Sequence, residues 1–282
     1  MDQFETPELS GSLNASTNSD RRRKDKKRSK KQDARTNRRA RSLQKRCDCL
    51  AKAARADKAE PPPGRPVVDF DGLSRPGSGT RSRLDEGPEQ AEQRLDKMRA
   101  AVRTLLECVG EDPDREGLLA TPSRYAKALL FLTKGYQVNV KSLVNNALFY
   151  EGHNEMVIVK DIDIHSLCEH HLVPFTGKMH IGYVPSDTVI GLSKLPRIAD
   201  MFSRRLQIQE RLTKDVAHAI MEILNPQGVA VVMESCHLCM VMRGVEKTGT
   251  TTITSCVLGC FENKSKTRSE FLSLVGVDRA RL

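Results

Sequence analysis

The stretch EMVIVKDIDIHSLCEHHLVPFTGKMHIGYVP, residues 155–185, combines two predicted β-strands with a dense group of potential metal ligands. Residues 155–164 are rich in β-branched side chains and mostly alternate apolar with polar residues, which predicts a strand. Residues 177–185 predict a second strand by the same pattern. The motif HSLCEHHLVPF, residues 165–175, therefore lies on the connection between two strands, a common position for functional residues.

Pairs of predicted helices and pairs of predicted strands alternate along the chain around this stretch. An apolar helical face runs over 95–109 and ends at Gly110, and a second helix is predicted over TPSRYAKALLFLTKGY, residues 121–136. The elements predicted after the opening stretch are helices over 193–206 and 209–224, then strands over 228–244 and 249–261. The order is two helices, two strands, two helices and two strands.

The first 88 residues differ in composition from the rest of the chain. Residues 21–46 hold fifteen Lys or Arg against two Asp, a net charge of +13, which leaves −3 for the remainder of a chain whose total is +10. Large apolar side chains are sparse before residue 89, so we predict a disordered basic tail over 1–88. The folded domain is predicted over 89–282, with a helical part over 89–150 and a sheet-containing part over 151–276.

Composition also restricts the cellular setting. The basic tail could be a solvated segment, a nuclear import signal or a contact with phosphates, but no aromatic residue between Phe4 and Phe70 offers a surface for base stacking. No apolar run approaches the roughly 18 residues that span a bilayer, and the N-terminus lacks the apolar core of a secretory signal. Eight cysteines then suggest reduced thiols or metal ligands. We expect a cytoplasmic protein, with the nucleus as the alternative.

The first group of potential metal ligands is Cys168-Glu169-His170-His171. In a helical turn, residues three apart share a face, so Cys168 and His171 can converge on one ion while His170 points elsewhere. Zinc sites are built from Cys and His, and a catalytic site keeps three protein ligands plus water. A third ligand must therefore come from another part of the chain.

The second group is SCHLC, residues 235–239, in which Cys236 and Cys239 have the CxxC spacing of a zinc knuckle. Because a strand was predicted here, alternation would place Cys239 and His237 on one face and Cys236 on the apolar face. This geometry favours Cys239 as the third ligand, beside Cys168 and His171, with an open fourth position. Buried cysteines with hydrogen-bonded histidines, or a closed structural zinc site, remain the alternatives.

Long motifs in a fixed order resemble one known family. The runs CEHHLVPFTGKMHIGYVP, GLSKLPRIADMFSRRLQIQERLT and CHLCMVMRGVEKTGTTTITSCVLGCF are similar to GTP cyclohydrolase I, as are REGLLATPSRYAKALLFLTKGYQ and KTRSEFLSLVG. The resemblance covers residues 92–276 nearly without interruption and excludes the basic tail. Pro196 and His165 stand where a small and an aromatic residue would be more typical of the family.

This resemblance implies an α+β architecture called the tunnelling fold. In that fold an antiparallel four-stranded sheet is backed by two helices, and a helical N-terminal region precedes it. The resemblance also implies a homodecamer of two stacked pentamers, with active sites shared between subunits. Some members of the family are under allosteric feedback control through a partner protein, which makes a regulatory partner a further expectation.

The resemblance implies a zinc hydrolase that opens the imidazole ring of GTP at C8. Formate leaves, and the rearranged product closes as 7,8-dihydroneopterin triphosphate, the first step of tetrahydrobiopterin and folate biosynthesis. The zinc ligands of the family fall on Cys168, His171 and Cys239. His237 is the expected general acid at N7 of the purine, because an imidazole gives and takes protons near neutral pH. His170 is expected to assist.

The substrate contacts implied by the resemblance are a carboxylate for guanine and several cations for the triphosphate. Glu210 can accept hydrogen bonds from N1–H and the 2-amino group of guanine, a donor pair that adenine lacks. Gln209 is expected to add a contact to the base. The expected ribose and phosphate contacts are Ser193, Lys194, Arg197, Arg243, Arg124 and Lys127.

Two other classes of protein compete with the enzyme. One is a zinc-stabilised nucleic-acid-binding protein, but a closed finger needs four protein ligands and no carboxylate for a substrate. The other is a relative that has lost activity and acts as a scaffold, against which the presence of Glu210, His237 and Arg243 argues. We expect no nucleic-acid contact by the catalytic domain and no membrane contact.

Overall fold

A computed structural model describes residues 68–69, 71–74 and 77–276, which belong to one unit spanning Pro66–Leu282. The helices are α1 (Ser78–Ser82), α2 (Pro88–Cys108), α3 (Thr121–Leu132), α4 (Val140–Val144), α5 (Lys194–Ser203), α6 (Gln209–Leu224), α7 (Leu238–Val241), α8 (Cys260–Asn263) and α9 (Ser265–Val275), with short 3-10 turns at Arg83–Asp85 and Lys134–Gln137. The strands are β1 (Leu148–Tyr150), β2 (Val157–Cys168), β3 (Pro174–Val184), β4 (Thr188–Ile190), β5 (Leu206–Gln207), β6 (Gly228–His237) and β7 (Thr252–Gly259).

The predicted α+β class is confirmed by a sheet with the strand order β5–β2–β3–β6–β7. The four long strands pair antiparallel, and the two-residue strand β5 adds a parallel edge to β2. β1 and β4 form a separate antiparallel pair. Within the described ranges, no helix is long and apolar enough to cross a membrane.

The main core lies between one face of the sheet and helices α5 and α6. Side chains alternate along β6 as a pleated strand requires: Val229, Val231 and Met233 point into this core, whereas Ala230 and Val232 point to the opposite face. The core side chains of the two helices are Leu195, Ile198, Phe202, Leu212, Val216 and Ile220, all fully buried. The opposite face is covered by α8 and α9 through Phe261, Phe271 and Val275.

Several predicted boundaries are shifted by a few residues, as at the ends of α3 and β7, and the one beside the candidate metal site is wrong. The strand predicted over 228–244 ends at His237, and the one-turn helix α7 follows it. The pairing of β6 with β3 stops at Phe175 opposite His237. The next residue of β3 in that direction is Pro174, whose nitrogen has no hydrogen to continue the ladder. The chain then turns into a helix instead of extending the sheet.

The first long helix is confirmed, but much of its apolar face is exposed in the part of the chain that the structure describes. Of the apolar positions over 95–109, Leu95 is buried, whereas Leu105 is 61% exposed and Val109 is 75% exposed. α2 packs against α3 rather than against the sheet. Gly110 follows the helix with a positive φ of 89°, a conformation that glycine adopts without strain.

Residues 1–67, most of the predicted basic tail, lie outside the described residues, and the boundary at 88 stays a prediction. The structure does describe packed residues before that boundary. Val68 and Leu73 are buried, and Ser74 donates a hydrogen bond to the Asp215 carboxylate at 2.7 Å. A short segment around residue 73 therefore contributes to the core of the folded unit.

Arg205 holds this segment to the core through a buried guanidinium. Its Nε donates to the Gly135 carbonyl at 3.0 Å and its Nη2 to the Gly72 carbonyl at 2.6 Å. The guanidinium lies over the Phe202 ring at 4.7 Å. Burial lowers the pKa of Arg205 to about 10, against the opposing effect of the neighbouring Asp215 carboxylate. Burial likewise raises the pKa of Asp215, against the hydrogen bonds that its carboxylate accepts from Ser74 and Gln207.

We predict that Arg205→Leu lowers the free energy of unfolding by about 2–5 kcal/mol, because it leaves the buried carbonyls of Gly72 and Gly135 without their hydrogen-bond donor. Urea unfolding of the full chain, followed by circular dichroism, measures the change. The control is Lys178→Ala, which removes an exposed ion pair with Asp163 and should shift the midpoint little. Equal midpoints for Arg205→Leu and the unmodified protein would contradict this account.

Candidate metal centre and substrate site

The loop between β2 and β3 forms a tight turn that brings two ligands together. The Cys168 amide donates to the Val173 carbonyl at 3.0 Å, and the amides of His171 and Leu172 donate to the Cys168 carbonyl. Leu172 has a positive φ of 54°, which closes the turn in a conformation that few non-glycine residues adopt. As the three-residue spacing predicts, Cys168 Sγ and His171 Nδ1 lie 3.6 Å apart.

Cys239 on α7 completes a cluster with these two residues. One ligand atom from each of Cys168, His171 and Cys239 lies within 4.8 Å of the others. The predicted set therefore meets in space, although the predicted reason was wrong, because Cys239 lies on a helical turn rather than on a strand. Two sulfurs and one imidazole nitrogen form a donor set suited to a transition metal.

The electrostatics of the cluster fit a cation. Burial raises the pKa of the Cys239 thiol, and the adjacent Cys168 raises it further, while the Arg243 guanidinium opposes them. Two thiols this close resist losing both protons unless a positive charge compensates them. A metal ion between them would supply that charge and deprotonate them.

An ion pair between Glu169 and Arg211 connects the β2–β3 loop, residues 169–173, to the start of α6. This loop, with the adjoining Cys168, is called the metal loop below. The Glu169 carboxylate forms an ion pair with the Arg211 guanidinium, and the Glu169 amide donates to the Gln207 carbonyl at 3.0 Å. Arg211 also donates to the Gln207 side chain at 2.9 Å and to the Leu206 carbonyl at 3.0 Å. The loop thus has fixed contacts on β5 and α6 before any metal binds.

His237 lies at the end of β6, two residues before Cys239, with its ring held from two sides. The ring stacks on Phe175 with centroids 4.6 Å apart and an interplanar angle of 7°. His237 Nε2 is 2.8 Å from Gln209 Oε1. Burial lowers the pKa of His237, and the nearby Glu210 carboxylate opposes that shift.

Gln209, the first residue of α6, is buried and bonded entirely within the chain. Its Nε2 donates to the carbonyls of Met233 and Thr252, and its Oε1 accepts from Ser235 Oγ at 2.6 Å as well as contacting His237. An amide has two donors and two acceptor positions, and the four contacts of Gln209 occupy all of them. No group of this amide therefore remains for the predicted contact with a guanine base.

The other predicted residues near the metal loop are exposed. Glu210 lies in the first turn of α6, next to Gln209, with its carboxylate free to meet a ligand. Arg243 follows α7 at the surface and is close enough to Cys239 to influence its thiol. His170 is also exposed, with its Nε2 3.8 Å from Glu169 Oε1.

Most of the residues predicted to contact the triphosphate lie on elements away from this cluster. Ser193 and Arg197 are exposed at the start of α5, and Lys194 Nζ donates to the Leu143 carbonyl at 2.9 Å. Arg197 lines a cavity of about 630 Å³ together with residues 159–163 of β2. The middle of that segment is seven residues from Cys168, or roughly 20 Å along a strand.

Arg124 and Lys127 are exposed on α3, in the N-terminal helical part. Arg124 Nη2 donates to the Gly117 carbonyl at 3.3 Å and to Thr121 Oγ1 at 3.1 Å. Of the predicted phosphate contacts, Arg243 therefore lies near the metal ligands, whereas those on α3 and α5 belong to elements that contribute no ligand to the cluster.

Three residues with clear positions in the site were not assigned roles from the sequence. Phe175 orients His237, Arg211 pairs with Glu169, and Ser235 contacts Gln209. All three stand inside conspicuous motifs, but their partners are distant along the chain, as with Glu169 and Arg211, which are separated by 42 positions. Spacing within a motif carries no signal for such pairs.

Comparison with known proteins gives consistent matches over the folded part. The family profile described as GTP cyclohydrolase I matches residues 98–276. GTP cyclohydrolase 1 of Neurospora crassa is 78% identical over 214 residues, which cover 76% of this chain and 68% of that protein. The protein of that name in Saccharomyces cerevisiae is 58% identical over 75% of this chain and 87% of its own length. The human protein of that name is 52% identical over 77% of this chain and 85% of its own length.

We predict that Cys239→Ser reduces the bound transition metal per subunit severalfold or more, because a thiolate ligand is lost. Cys236→Ser is the matched control and should keep the metal, since Cys236 lies outside the cluster. Elemental analysis of both variants, purified in parallel from metal-supplemented cultures, measures the difference. Metal loss in Cys236→Ser with retention in Cys239→Ser would reverse the assignment.

Proposed function

The chain belongs to the GTP cyclohydrolase I family and is an enzyme of that family, and we propose that it converts GTP to 7,8-dihydroneopterin triphosphate and formate with zinc as its metal. The observation that carries this proposal is the convergence of Cys168, His171 and Cys239 beside the oriented ring of His237. The product would enter tetrahydrobiopterin or folate synthesis. The composition of the chain supports a cytoplasmic location for the protein, with the nucleus as the alternative.

Zinc fits the donor set better than the other common metals of enzymes. Two thiolates and one imidazole match a catalytic zinc site, which has three protein ligands and leaves a position open. Magnesium and calcium prefer oxygen ligands, which this cluster does not offer. When bound, zinc supplies Lewis acidity that brings the pKa of a water down to about 7, so that water becomes a nucleophile at neutral pH.

Opening the imidazole ring of GTP needs a proton at N7 as well as a nucleophile at C8. C8 of a purine is a weak electrophile, and a proton delivered to N7 withdraws electron density from it. His237 has a fixed ring next to the metal ligands and can deliver that proton. His170, exposed on the same loop, is assigned an assisting role, in which it contacts the ribose or relays a proton.

Recognition of guanine is assigned to Glu210. Its exposed carboxylate stands next to Gln209, whose side chain touches His237, so base recognition and proton transfer share the start of α6. A carboxylate accepts the two adjacent donors of guanine in one bidentate contact. Adenine cannot make this contact, because it has no hydrogen on N1 and no 2-amino group.

Binding of the triphosphate is assigned to a second subunit as well as to this one. Arg243 lies by the metal cluster, whereas Arg197 lines a cavity roughly 20 Å away along β2. For one triphosphate to contact Arg243 and Arg197 together, the two residues would come from different subunits. The neighbouring copy would then supply Ser193, Lys194 and Arg197, or Arg124 and Lys127. Exposed apolar residues at the C-terminal end of α2, Leu105 and the following Val109, favour an assembly of this kind.

The proposed assembly is the homodecamer of stacked pentamers typical of the family, with each subunit in the tunnelling fold. The four antiparallel strands β2, β3, β6 and β7, backed by α5 and α6, support that fold assignment. A regulatory protein partner, binding to the assembly and coupled allosterically to the sites, is a further part of this proposal.

The direct test is catalysis by the purified full chain. Zinc per subunit is measured, the protein is incubated with GTP, and formate and a pterin that fluoresces after oxidation are assayed. The proposal predicts both products and their loss after chelation of the metal, with recovery on adding zinc. A zinc-loaded protein that releases no pterin would refute it.

We predict that Glu210→Gln lowers kcat/KM for GTP by about 100-fold, because one charge-assisted hydrogen bond of about 1.5–3 kcal/mol is lost and the second becomes a weaker neutral one. The zinc content should stay unchanged, since Glu210 is not a ligand. Glu222→Gln, an exposed position on the same helix, is the matched control and should retain wild-type kinetics. Loss of zinc from Glu210→Gln would show that this residue has a different role.

A further inference from the structure

The side chain of Gln209 can adopt only one amide orientation. Its Nε2 lies 3.1 Å from the Met233 carbonyl oxygen and 3.0 Å from the Thr252 carbonyl oxygen. Both neighbours are acceptors, so the amide nitrogen must face them and donate both of its hydrogens. Exchanging the nitrogen and oxygen would set three acceptors against one another at a position that is 1% exposed.

This orientation determines which nitrogen of His237 carries a proton in the neutral ring. Gln209 Oε1 has no hydrogen, and it lies 2.8 Å from His237 Nε2. A hydrogen bond at this contact requires that Nε2 be the donor. Ser235 Oγ donates to the same oxygen at 2.6 Å and occupies its remaining acceptor position. The neutral His237 ring is then protonated on Nε2 and bare on Nδ1.

The other nitrogen of His237 is open to a ligand. In the part of the chain that the structure describes, no group forms a hydrogen bond with His237 Nδ1. The stacked Phe175 ring fixes the plane of the imidazole, and the Gln209 contact fixes its rotation within that plane. Nδ1 therefore has a set direction and no hydrogen-bond partner among the described residues.

We propose that Gln209 is a positioning residue that holds His237 as the Nε2–H tautomer, so that Nδ1 is the atom through which His237 exchanges protons with the substrate. This inference rests on the proposed function and deepens it. It also replaces the predicted contact of Gln209 with the guanine base. Adjacent residues at the start of α6 divide the work: Gln209 faces inward to His237, and Glu210 faces outward to the base.

The tautomer can be read without substrate and without any variant. The zinc-loaded full chain is labelled with ¹³C,¹⁵N-histidine and ring-labelled phenylalanine and studied by solid-state NMR at an alkaline pH, where imidazole rings are neutral. One-bond carbon–nitrogen correlations separate Nδ1 from Nε2, and contact with the stacked Phe175 ring identifies His237. The proposal predicts hydrogen on Nε2. A His237 signal with hydrogen on Nδ1 would overturn it.

The kinetics of a Gln209→Met variant test whether the tautomer of His237 matters for catalysis. Methionine keeps the length of the side chain but accepts no hydrogen bond from Nε2, so the proposal predicts mixed tautomers for His237. It also predicts a kcat about tenfold to 100-fold lower and a KM for GTP within about threefold of wild type. If Gln209 instead contacted the guanine base, Gln209→Met would raise KM and leave His237 protonated on Nε2. That result would refute the proposal.

Gln227→Met is the matched control, because the Gln227 side chain donates to the Pro185 carbonyl, away from the site. It should keep both the His237 spectrum and the kinetics. Failure of the tautomer proposal is distinguishable from failure of the proposed function, since the tautomer is measured in the absence of GTP. An Nδ1–H tautomer in a protein that makes pterin would refute this inference and leave the proposed function intact.

Discussion

The antiparallel pairing of β3 with β6 is the constraint on which the rest of the site depends. It sets Phe175 opposite His237, which brings the end of β6 to the metal loop at the start of β3. Cys239 then meets Cys168 and His171 despite the seventy residues of chain between them. Because side chains alternate along a strand, a slip of one residue would turn His237 away from Gln209 and Phe175.

Local pattern predicted the elements of this arrangement well. The helix over 209–224 matches α6, and the metal loop does lie between two strands, because alternation and helical periodicity report directly on which face is buried. The three-residue spacing of Cys168 and His171 was informative for the same reason. Cys239 was selected through an alternation that does not exist, since Pro174 on the partner strand ends the ladder at His237.

Contacts between distant residues could not be predicted from the sequence. Gln209 stands in a motif that suggests substrate binding. Its amide is nevertheless hydrogen-bonded at every position to residues of other elements, namely Met233, Thr252, Ser235 and His237. The same holds for Arg205, a residue type normally at the surface, which is buried against Gly72 and Gly135. The exposed apolar face of α2 is a further case, because helical periodicity predicts an apolar stripe and carries no information on what covers it.

The central claim is that the metal loop and α7 jointly bind one zinc ion through two sulfurs and one nitrogen. X-ray absorption at the zinc edge of the purified full chain tests it most directly. The account predicts two sulfur ligands at about 2.3 Å and two nitrogen or oxygen ligands at about 2.0–2.2 Å. A first shell with four sulfurs, or with none, would contradict it.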